Sequence, residues 1–310
     1  MLDALRLDVL DFSWVTRQRS PVQSLKETLA ISRRAESLGY HRVWVGEHHI
    51  QSNACGSPQV LAAILASTTK QIRIGIGALL LQYYSPLKVA EDFRLLETIF
   101  GRIDLGLGRG RADNDASHRA LLDGRAGEEP GMFGEEQYSA KLDDLLGFLH
   151  GALPEGHAHA AADVIPMLDV APEVWICGSE TAAAQAARRG AHFCCTLFHG
   201  REPGPSAMSR YRTEFRASRS LDVPHGAIAV CGVCADTEAE AQEMQEVFPH
   251  RRHYVPNVIG TPEQCADRLA ELRAMYGVDE IFFLDLAPDL ARRTRSLELL
   301  AQVCRLTPRT

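Results

Sequence analysis

The sequence predicts a (β/α)8 barrel, in which eight parallel strands form a closed cylinder inside a ring of helices. Short β-rich runs alternate with helical stretches along all 310 residues, and no second compositional regime interrupts them. The strand candidates are almost continuously apolar, as is typical of parallel strands covered on both faces. We therefore expect one domain over residues 1–310. A doubly wound sheet is the alternative fold with the same alternation.

Eight segments have the composition of buried strands. They are Arg6–Leu10, Arg42–Gly46, Arg73–Leu79, Ile103–Leu107, Val174–Cys177, His192–Thr196, Ala227–Val233 and Glu280–Leu284. Helix starts are predicted where a hydroxyl that can cap the helix precedes a proline that needs no N–H partner. These pairs are Ser20-Pro21, Ser57-Pro58, Ser85-Pro86 and Thr261-Pro262. The spacing of a capping box occurs at Ser20…Gln23, Thr237…Glu240 and Thr261…Gln264.

Two stretches depart from the alternation. Residues Gly151–Pro172 include Pro154, Pro166 and Pro172, and we interpret them as a short insertion between the fourth and fifth βα units. Residues Ala112–Gly134 are rich in Gly, Asp and Arg and directly follow the fourth strand.

Composition and charge exclude several classes of protein. The net charge of −7 argues against a nucleic-acid-binding protein, which normally carries a basic excess. No apolar run is long enough for a membrane helix. Asp3 and Asp8 interrupt the region where a signal peptide needs an apolar core, so we expect a cytoplasmic protein. Its eight cysteines should then be free and mostly buried thiols.

The second strand runs RVWVGEHH and ends in Glu47, His48 and His49. In a (β/α)8 barrel, catalytic groups lie at the C-terminal ends of the strands. Imidazole titrates near neutral pH, so His48 is a candidate general acid or base or a donor to a cofactor, with Glu47 holding the site by hydrogen bonds. The alternative is a polar surface turn. Adjacent histidines on extended backbone point to opposite sides, which argues against a shared metal ion.

The fourth strand runs GRIDLGLGRGR, which places Arg109 and Arg111 among alternating glycines. Glycine lets a ligand approach the backbone, and arginine offers planar donors to a phosphate. The pattern is not a dinucleotide fingerprint, because Arg111 stands where the third glycine belongs. A barrel corner with solvated arginines explains it equally well.

The fifth strand ends in Gly178, Ser179 and Glu180, directly before a predicted helix. The N–H groups and dipole of a helix start attract anions, so a phosphate could lie between this turn and Arg109. The alternative is that Ser179 only caps the helix. Glycines 75 and 77 lie inside the third strand and indicate either close approach of another group or tight packing in the barrel.

Other motifs favour no further chemistry. Cys231-x-x-Cys234 lies within a strand and lacks the second pair that zinc would need, and His157-x-His159 lies in the insertion. We therefore expect no metal site. The sequence contains neither a G-x-S-x-G elbow nor a Walker A segment, which argues against two common hydrolase classes.

Several of these segments, in the same order, resemble the bacterial luciferase-like flavin monooxygenases. They are LGYHRVWVGEHH, SPQVLAAILASTTKQIRIGIGALLLQYYSPLKVAEDFRLLETIFGRIDLGLGRGR, VWICGSE and GTPEQCADRL…GVDEIFFL. The resemblance implies a (β/α)8 barrel that binds FMN, usually as reduced FMN (FMNH2) supplied by a separate flavin reductase. It also implies that the flavin reacts with O2 to give a C4a-peroxide that oxygenates a small organic substrate.

The resemblance assigns roles to particular residues. It implies that His48 assists the flavin–oxygen chemistry and that Arg109 holds the flavin phosphate. It implies a non-prolyl cis peptide under the flavin ring, at Gly77-Ala78. The phosphate-binding turn maps to Gly178, Ser179 and Glu180, and plausible walls of the pocket are Leu79, Leu80 and Phe198.

This sequence also departs from the family pattern. Where the family often has Ala-Pro after the phosphate-binding arginine, this chain has Gly110-Arg111, which could add a second positive charge. The short insertion predicts a small lid, which argues against long-chain aldehyde substrates and light emission. The family often dimerises through its second and third helices, and the apolar content of Val60–Leu65 and Leu95–Phe100 permits a homodimer. Two alternatives remain open: a deazaflavin-dependent oxidoreductase that transfers hydride, and a flavin-binding protein without catalysis.

Overall fold

The computed structural model describes residues 5–122, 134–199, 204–248 and 254–308. The strands are β1 Arg6–Asp11, β2 Arg42–Val45, β3 Arg73–Leu80, β4 Ile103–Gly108, β5 Glu173–Gly178, β6 His192–Thr196, β7 Gly226–Cys234, β8 Val258–Gly260 and β9 Glu280–Asp285. The helices are α1 Pro21–Leu38, α2 Pro58–Thr68, α3 Pro86–Phe100, α4 Asp115–Leu122, α5 Glu135–His150, α6 Glu180–Arg189, α7 Ser206–Glu214, α8 Glu238–Val247, α9 Pro262–Tyr276 and α10 Leu290–Val303.

Eight of these strands form a closed parallel barrel. Their order is β6-β5-β4-β3-β2-β1-β9-β7, and pairing of β6 with β7 closes the cylinder. The fold is therefore the (β/α)8 barrel that the sequence predicts, and the doubly wound alternative is wrong. The predicted insertion lies between α5 and β5, where residues 151–172 contain no helix or strand. No described helix is both long enough and apolar enough to cross a membrane.

One short strand was not predicted. Strand β7 pairs with β6 only as far as Ala229, and from Gly232 onward it pairs with β8 instead. Asn257 holds the divided region together, because its side chain donates to the Leu197 carbonyl and accepts from the N–H of Cys231. Beyond Ala229, the chain leading into β8 thus enters the wall of the barrel between β6 and β7.

Local sequence signals set the helix boundaries. Both capping boxes that combine a hydroxyl with proline are present, at the starts of α1 and α9. Thr237 also accepts a hydrogen bond from the N–H of Glu240 at the start of α8. Helices α2 and α3 begin at the predicted prolines, but Ser57 and Ser85 form no side-chain capping bond.

The barrel interior is packed with aromatic side chains. Trp44 lies 4.0 Å from Phe282, ring centre to ring centre, and its indole N–H donates to Asp104 at 2.9 Å. A Cβ atom added to Gly75 or Gly77 would lie within 2.5 Å of the Trp44 ring. These two glycines therefore make room for an indole from the neighbouring strand.

Two buried ionic networks lie at opposite ends of the barrel. At the C-terminal end, Arg293 of α10 contacts Asp11 at 3.1 Å, and Asp285 lies beside the pair. At the N-terminal end, Arg42 bonds three carboxylates, those of Asp104, Glu173 and Glu280. All eight cysteines are free, as the sequence predicts for thiols, and seven of them are buried.

Candidate active site

A cavity of about 620 Å³ opens at the C-terminal ends of the barrel strands. We call it the main cavity. Residues from β1 to β6, β7 and β9 line it, so the site is built by the end of the barrel where (β/α)8 enzymes carry their chemistry. Six of the predicted site residues line it, namely Glu47, His48, Gly77, Ala78, Arg109 and Gly178.

A second cavity of about 290 Å³ adjoins the main cavity, and we call it the side cavity. The two share four lining residues, Arg109, Gly110, Cys177 and Gly178. Ser179 lines the side cavity. The predicted site residues from β4 and β5 therefore meet at the junction of a larger and a smaller space.

Glu47 accepts several hydrogen bonds in the wall of the main cavity, and we call it a hydrogen-bond hub. It is only 3% exposed, and its carboxylate accepts from the Leu80 N–H at 2.8 Å and from the Tyr84 hydroxyl at 2.9 Å. The Nε2 atom of His49 lies 2.8 Å from the same carboxylate. Burial and the neighbouring Glu47 raise the pKa of Tyr84, which keeps the hydroxyl a donor. Glu47 thus ties the end of β2 to the end of β3.

His48 is half-buried in the wall of the main cavity. Its ring packs edge-on against Phe12 at 4.7 Å, and its Nδ1 atom lies 3.5 Å from Asp113 Oδ1. The other oxygen of Asp113 accepts from the His49 N–H at 2.9 Å. Partial burial raises the pKa of Asp113, but the bonds from His48 and His49 outweigh it and lower the pKa overall. An ionised Asp113 therefore faces Nδ1 and leaves His48 Nε2 available for a ligand.

The two arginines after β4 have different environments. Arg111 makes an ion pair with Asp115 of α4, four residues further along the chain. Within the described ranges, Arg109 forms no ion pair and no hydrogen bond with protein, although it lines both cavities. Arg109 is therefore the arginine of the two whose guanidinium group has no carboxylate partner in the described ranges, a group of the type that binds anions.

The turn after β5 presents an unused helix start. Ser179 occupies the N-cap position of α6, yet its side chain makes no capping bond, so the simple capping role considered for it is wrong. The backbone at Gly178 has φ +148°, which disfavours any side chain there. The carboxylate of Glu180 accepts from Ser206 of α7, and Glu180 lines neither cavity, so its assignment to the binding turn stays a prediction.

The floor of the main cavity is formed by small residues. The peptide bond between Gly77 and Ala78 is cis, as the resemblance implies. A Cβ added at Gly108 would lie 3.1 Å from the Ala78 Cβ, and one added at Gly178 would lie 2.9 Å from the Ala182 Cβ. Three strand ends thus keep a flat, narrow surface free of long side chains.

Aromatic rings form the opposite wall. Phe12, Trp14, Phe198 and Tyr254 contact one another at ring-centre distances of 5.1 to 6.3 Å. Phe198 was expected as a wall residue, and Leu80 also lines the cavity. Leu79 was not placed correctly, because it faces the helices and lies in the outer core.

The family model described as luciferase-like monooxygenase matches residues 9–257. The chain belongs to the luciferase-like monooxygenase family. Membership supports monooxygenase activity in general terms. In Bacillus subtilis (strain 168), the uncharacterized protein YwcH is 32% identical over 332 residues, covering 96% of this chain and 98% of its own. The N-acetyl-S-alkylcysteine monooxygenase of the same organism is 28% identical over 331 residues, covering 96% and 97%.

Solved structures share the fold. Apo-MsnO8 superposes with a TM-score of 0.85 at 29% identity, covering 98% of this chain and 100% of its own. Two more distant structures show the fold alone. One is the oxygenating constituent of 3,6-diketocamphane monooxygenase from Pseudomonas putida in complex with FMN (TM-score 0.73, 20% identity, covering 97% and 98%). The other is an F420-dependent secondary alcohol dehydrogenase (TM-score 0.73, 15% identity, covering 99% of each chain).

Sequence reasoning missed several residues of this site. Asp113 follows β4 by five positions, so the rule about strand ends could have identified it, but the stretch was interpreted as irregular. Tyr84 lies beyond β3 and carries no motif. Trp14 and Tyr254 come from loops far apart in sequence, and only the fold places them 5.1 Å apart.

Proposed function

We propose that this protein is the oxygenase component of a two-component flavin monooxygenase. In this proposal it binds reduced FMN delivered by a separate flavin reductase and uses O2 to oxygenate a small organic substrate. One oxygen atom enters the substrate and the other leaves as water. The observation that carries the proposal is the position of Arg109, a cation without a protein partner in the described ranges, between two cavities and beside an uncapped helix start.

The residues present fit a phosphorylated flavin. Arg109, the Ser179 hydroxyl and the first N–H groups of α6 together provide the donors that bind phosphate at a helix start. The small residues Ala78 and Gly108 leave room for a flat ring in the main cavity. Carboxylates would repel a phosphate, and neither Glu180 nor another acidic residue lines the side cavity among the described residues.

When bound, reduced FMN would supply the electrons that activate O2. The protein's own residues then do the remaining work. The aromatic wall and the Trp44–Phe282 pair, which also lines the cavity, exclude water from the reacting groups. Asp113 holds the His48 ring with Nδ1 toward the carboxylate, so Nε2 is the ring nitrogen left for a ligand. His48 Nε2 can therefore donate or accept a proton at the cavity surface.

Labelled oxygen tests this function. The protein is supplied with FMN, a flavin reductase, NADH and ¹⁸O2, together with a panel of thioethers and cyclic ketones. These are the compound classes in the names of the S-alkylcysteine and diketocamphane monooxygenases. We expect one ¹⁸O atom in a product, and a lower yield with His48→Asn. Consumption of O2 that yields only hydrogen peroxide across the panel would favour flavin binding without catalysis.

The second candidate is hydride transfer with a deazaflavin, because the F420-dependent dehydrogenase has the same barrel. Anaerobic titration with reduced FMN and with reduced F420 separates the two functions. We expect reduced FMN to bind at least tenfold more tightly than F420. Tighter binding of F420, together with oxidation of an alcohol in the absence of O2, would replace the first proposal.

We further infer a homodimer formed through α2 and α3. Four large apolar side chains are exposed on these helices, Val60 and Ile64 on α2 and Leu95 and Ile99 on α3, with exposed fractions between 43% and 62%. Light scattering coupled to size exclusion should give twice the chain mass, and Ile99→Glu should give the monomer. A wild-type monomer at micromolar concentration would refute this inference.

A further inference from the structure

A third cavity, of about 540 Å³, opens at the N-terminal end of the barrel, opposite the main cavity. Its lining is dominated by charged side chains and histidines, including Arg6, His41, Arg42, Arg73, His192 and His225. None of these residues has a role in the proposed flavin site.

Three potential metal ligands meet behind the wall of this cavity. Asp8 of β1, His41 before β2 and Glu280 of β9 each place one ligand atom within 4.8 Å of the other two. His41 Nδ1 lies 3.6 Å from Asp8 Oδ1 and 3.2 Å from Glu280 Oε1. His41 also lines the cavity, so the cluster is within reach of solvent ions.

The carboxylate of Asp8 has an unusual environment for a buried group. Its side chain is fully buried, and neither of its carboxylate oxygens has a hydrogen-bond partner in the described part of the chain. A buried carboxylate without donors is costly, so a buried charge is normally paired or coordinates a metal. His41 Nδ1 lies 3.6 Å from Asp8 Oδ1, beyond hydrogen-bond distance.

Carboxylates outnumber guanidinium groups around this cluster. The network contains four carboxylates, Asp8, Asp104, Glu173 and Glu280, and three guanidinium groups, Arg6, Arg42 and Arg73. Asp104 and Glu173 are already paired with Arg42 and Arg73. Asp8 forms no ion pair with these guanidinium groups in the described ranges, so a cation beside it would meet a carboxylate that only His41 contacts.

Both carboxylate oxygens of Glu280 also contact residues outside the cluster. Its Oε2 atom lies 2.9 Å from His225 Nε2, and Arg42 donates to its Oε1 atom. In metal sites, residues that bond to a ligand without contacting the ion fix the orientation of that ligand.

We propose that Asp8, His41 and Glu280 bind one divalent transition-metal ion. One imidazole and two carboxylates form a mixed nitrogen and oxygen donor set, which suits Mn²⁺ or Zn²⁺, with water completing the coordination. The ion would link the N-terminal ends of β1, β2 and β9 and would stabilise the barrel rather than act on substrate.

Manganese binding tests this proposal on the whole protein. Titration with Mn²⁺, followed by the EPR signal of the free ion, should show one ion per chain for the wild type. Asp8→Asn and His41→Gln should each weaken binding at least tenfold. The matched control is His157→Gln, which removes a histidine paired with Asp144 in the insertion and should leave binding unchanged.

Thermal unfolding provides the second measurement. Mn²⁺ should raise the Tm of the wild type and of His157→Gln, but not that of Asp8→Asn. If Asp8→Asn does not fold, the same comparison is made with His41→Gln, because His41 is only partly buried. The proposal is overturned if the wild type binds no stoichiometric ion, or if binding survives both ligand substitutions.

Discussion

Replacing Glu47 should lower the free energy of unfolding by more than the loss of one hydrogen bond would, because its carboxylate has several partners. Glu47→Ala removes the acceptor for the Leu80 N–H, the Tyr84 hydroxyl and His49. A hydrogen bond to a charged group contributes about 1.5–3 kcal/mol, and a buried donor without a partner costs about 1–3 kcal/mol. Because these effects overlap, we expect a loss of about 3–5 kcal/mol in the free energy of unfolding.

Glu47→Gln separates the loss of charge from the loss of shape. The glutamine oxygen can still accept from the Leu80 N–H, so we expect a smaller loss of about 1–2 kcal/mol. Equilibrium unfolding in urea, followed by circular dichroism, measures both variants. Glu243→Ala is the control, because Glu243 is exposed on α8 and should change stability by less than about 0.5 kcal/mol. A loss for Glu47→Ala no larger than that of the control would refute the role of Glu47 as a hub.

Three further predictions concern the cofactor site, the barrel wall and a buried carboxyl. Arg109→Ala should weaken binding of reduced FMN about 10- to 100-fold in an anaerobic titration, and unchanged affinity would remove Arg109 from the phosphate site. Gly106→Ala should lower the free energy of unfolding, measured in urea, by about 3 kcal/mol or more, because its Cβ would lie 2.1 Å from a backbone oxygen. The control is Gly134→Ala, which has open space around it and should lower that free energy by less than about 1 kcal/mol. Equal losses for the two variants would contradict this prediction. Burial raises the pKa of Asp285 from 3.8 to about 6, so its ionisation disfavours the folded state as pH rises through this window. Asp285→Asn should therefore gain up to about 3 kcal/mol relative to wild type between pH 4 and 7, whereas the exposed Asp267→Asn should show no such trend.

The sequence predicted the barrel and most of its strands because each strand is an apolar run bounded by strong helix signals. Strand β8 escaped prediction because it is only three residues long and depends on pairing with the end of β7. The glycines of β3 could be recognised as a place of close approach. The approaching group, Trp44, could be named only once the register placed it opposite Gly75.

Only part of the candidate site could be predicted from the sequence. Groups that follow directly on a strand, such as His48 and Arg109, were found because the fold sends all strand ends to one face. The N-terminal network was missed, since a single polar residue at the start of a strand looks solvent-exposed in sequence. Asp8 and Glu280 become a buried pair only when β1 and β9 are neighbours, which requires the closed barrel.

Strand β7 pairs with β6 over its first half and with β8 over its second half, and the two halves have different roles. Closure of the cylinder depends on the first half of that strand. Tyr254 lies in the chain that joins its second half to β8, and Val255 of this chain donates to the Phe198 carbonyl. Insertions or exchanges in the chain between β7 and β8 can therefore reshape the aromatic wall without breaking the ring of strands. Engineering a new substrate preference should begin in that segment.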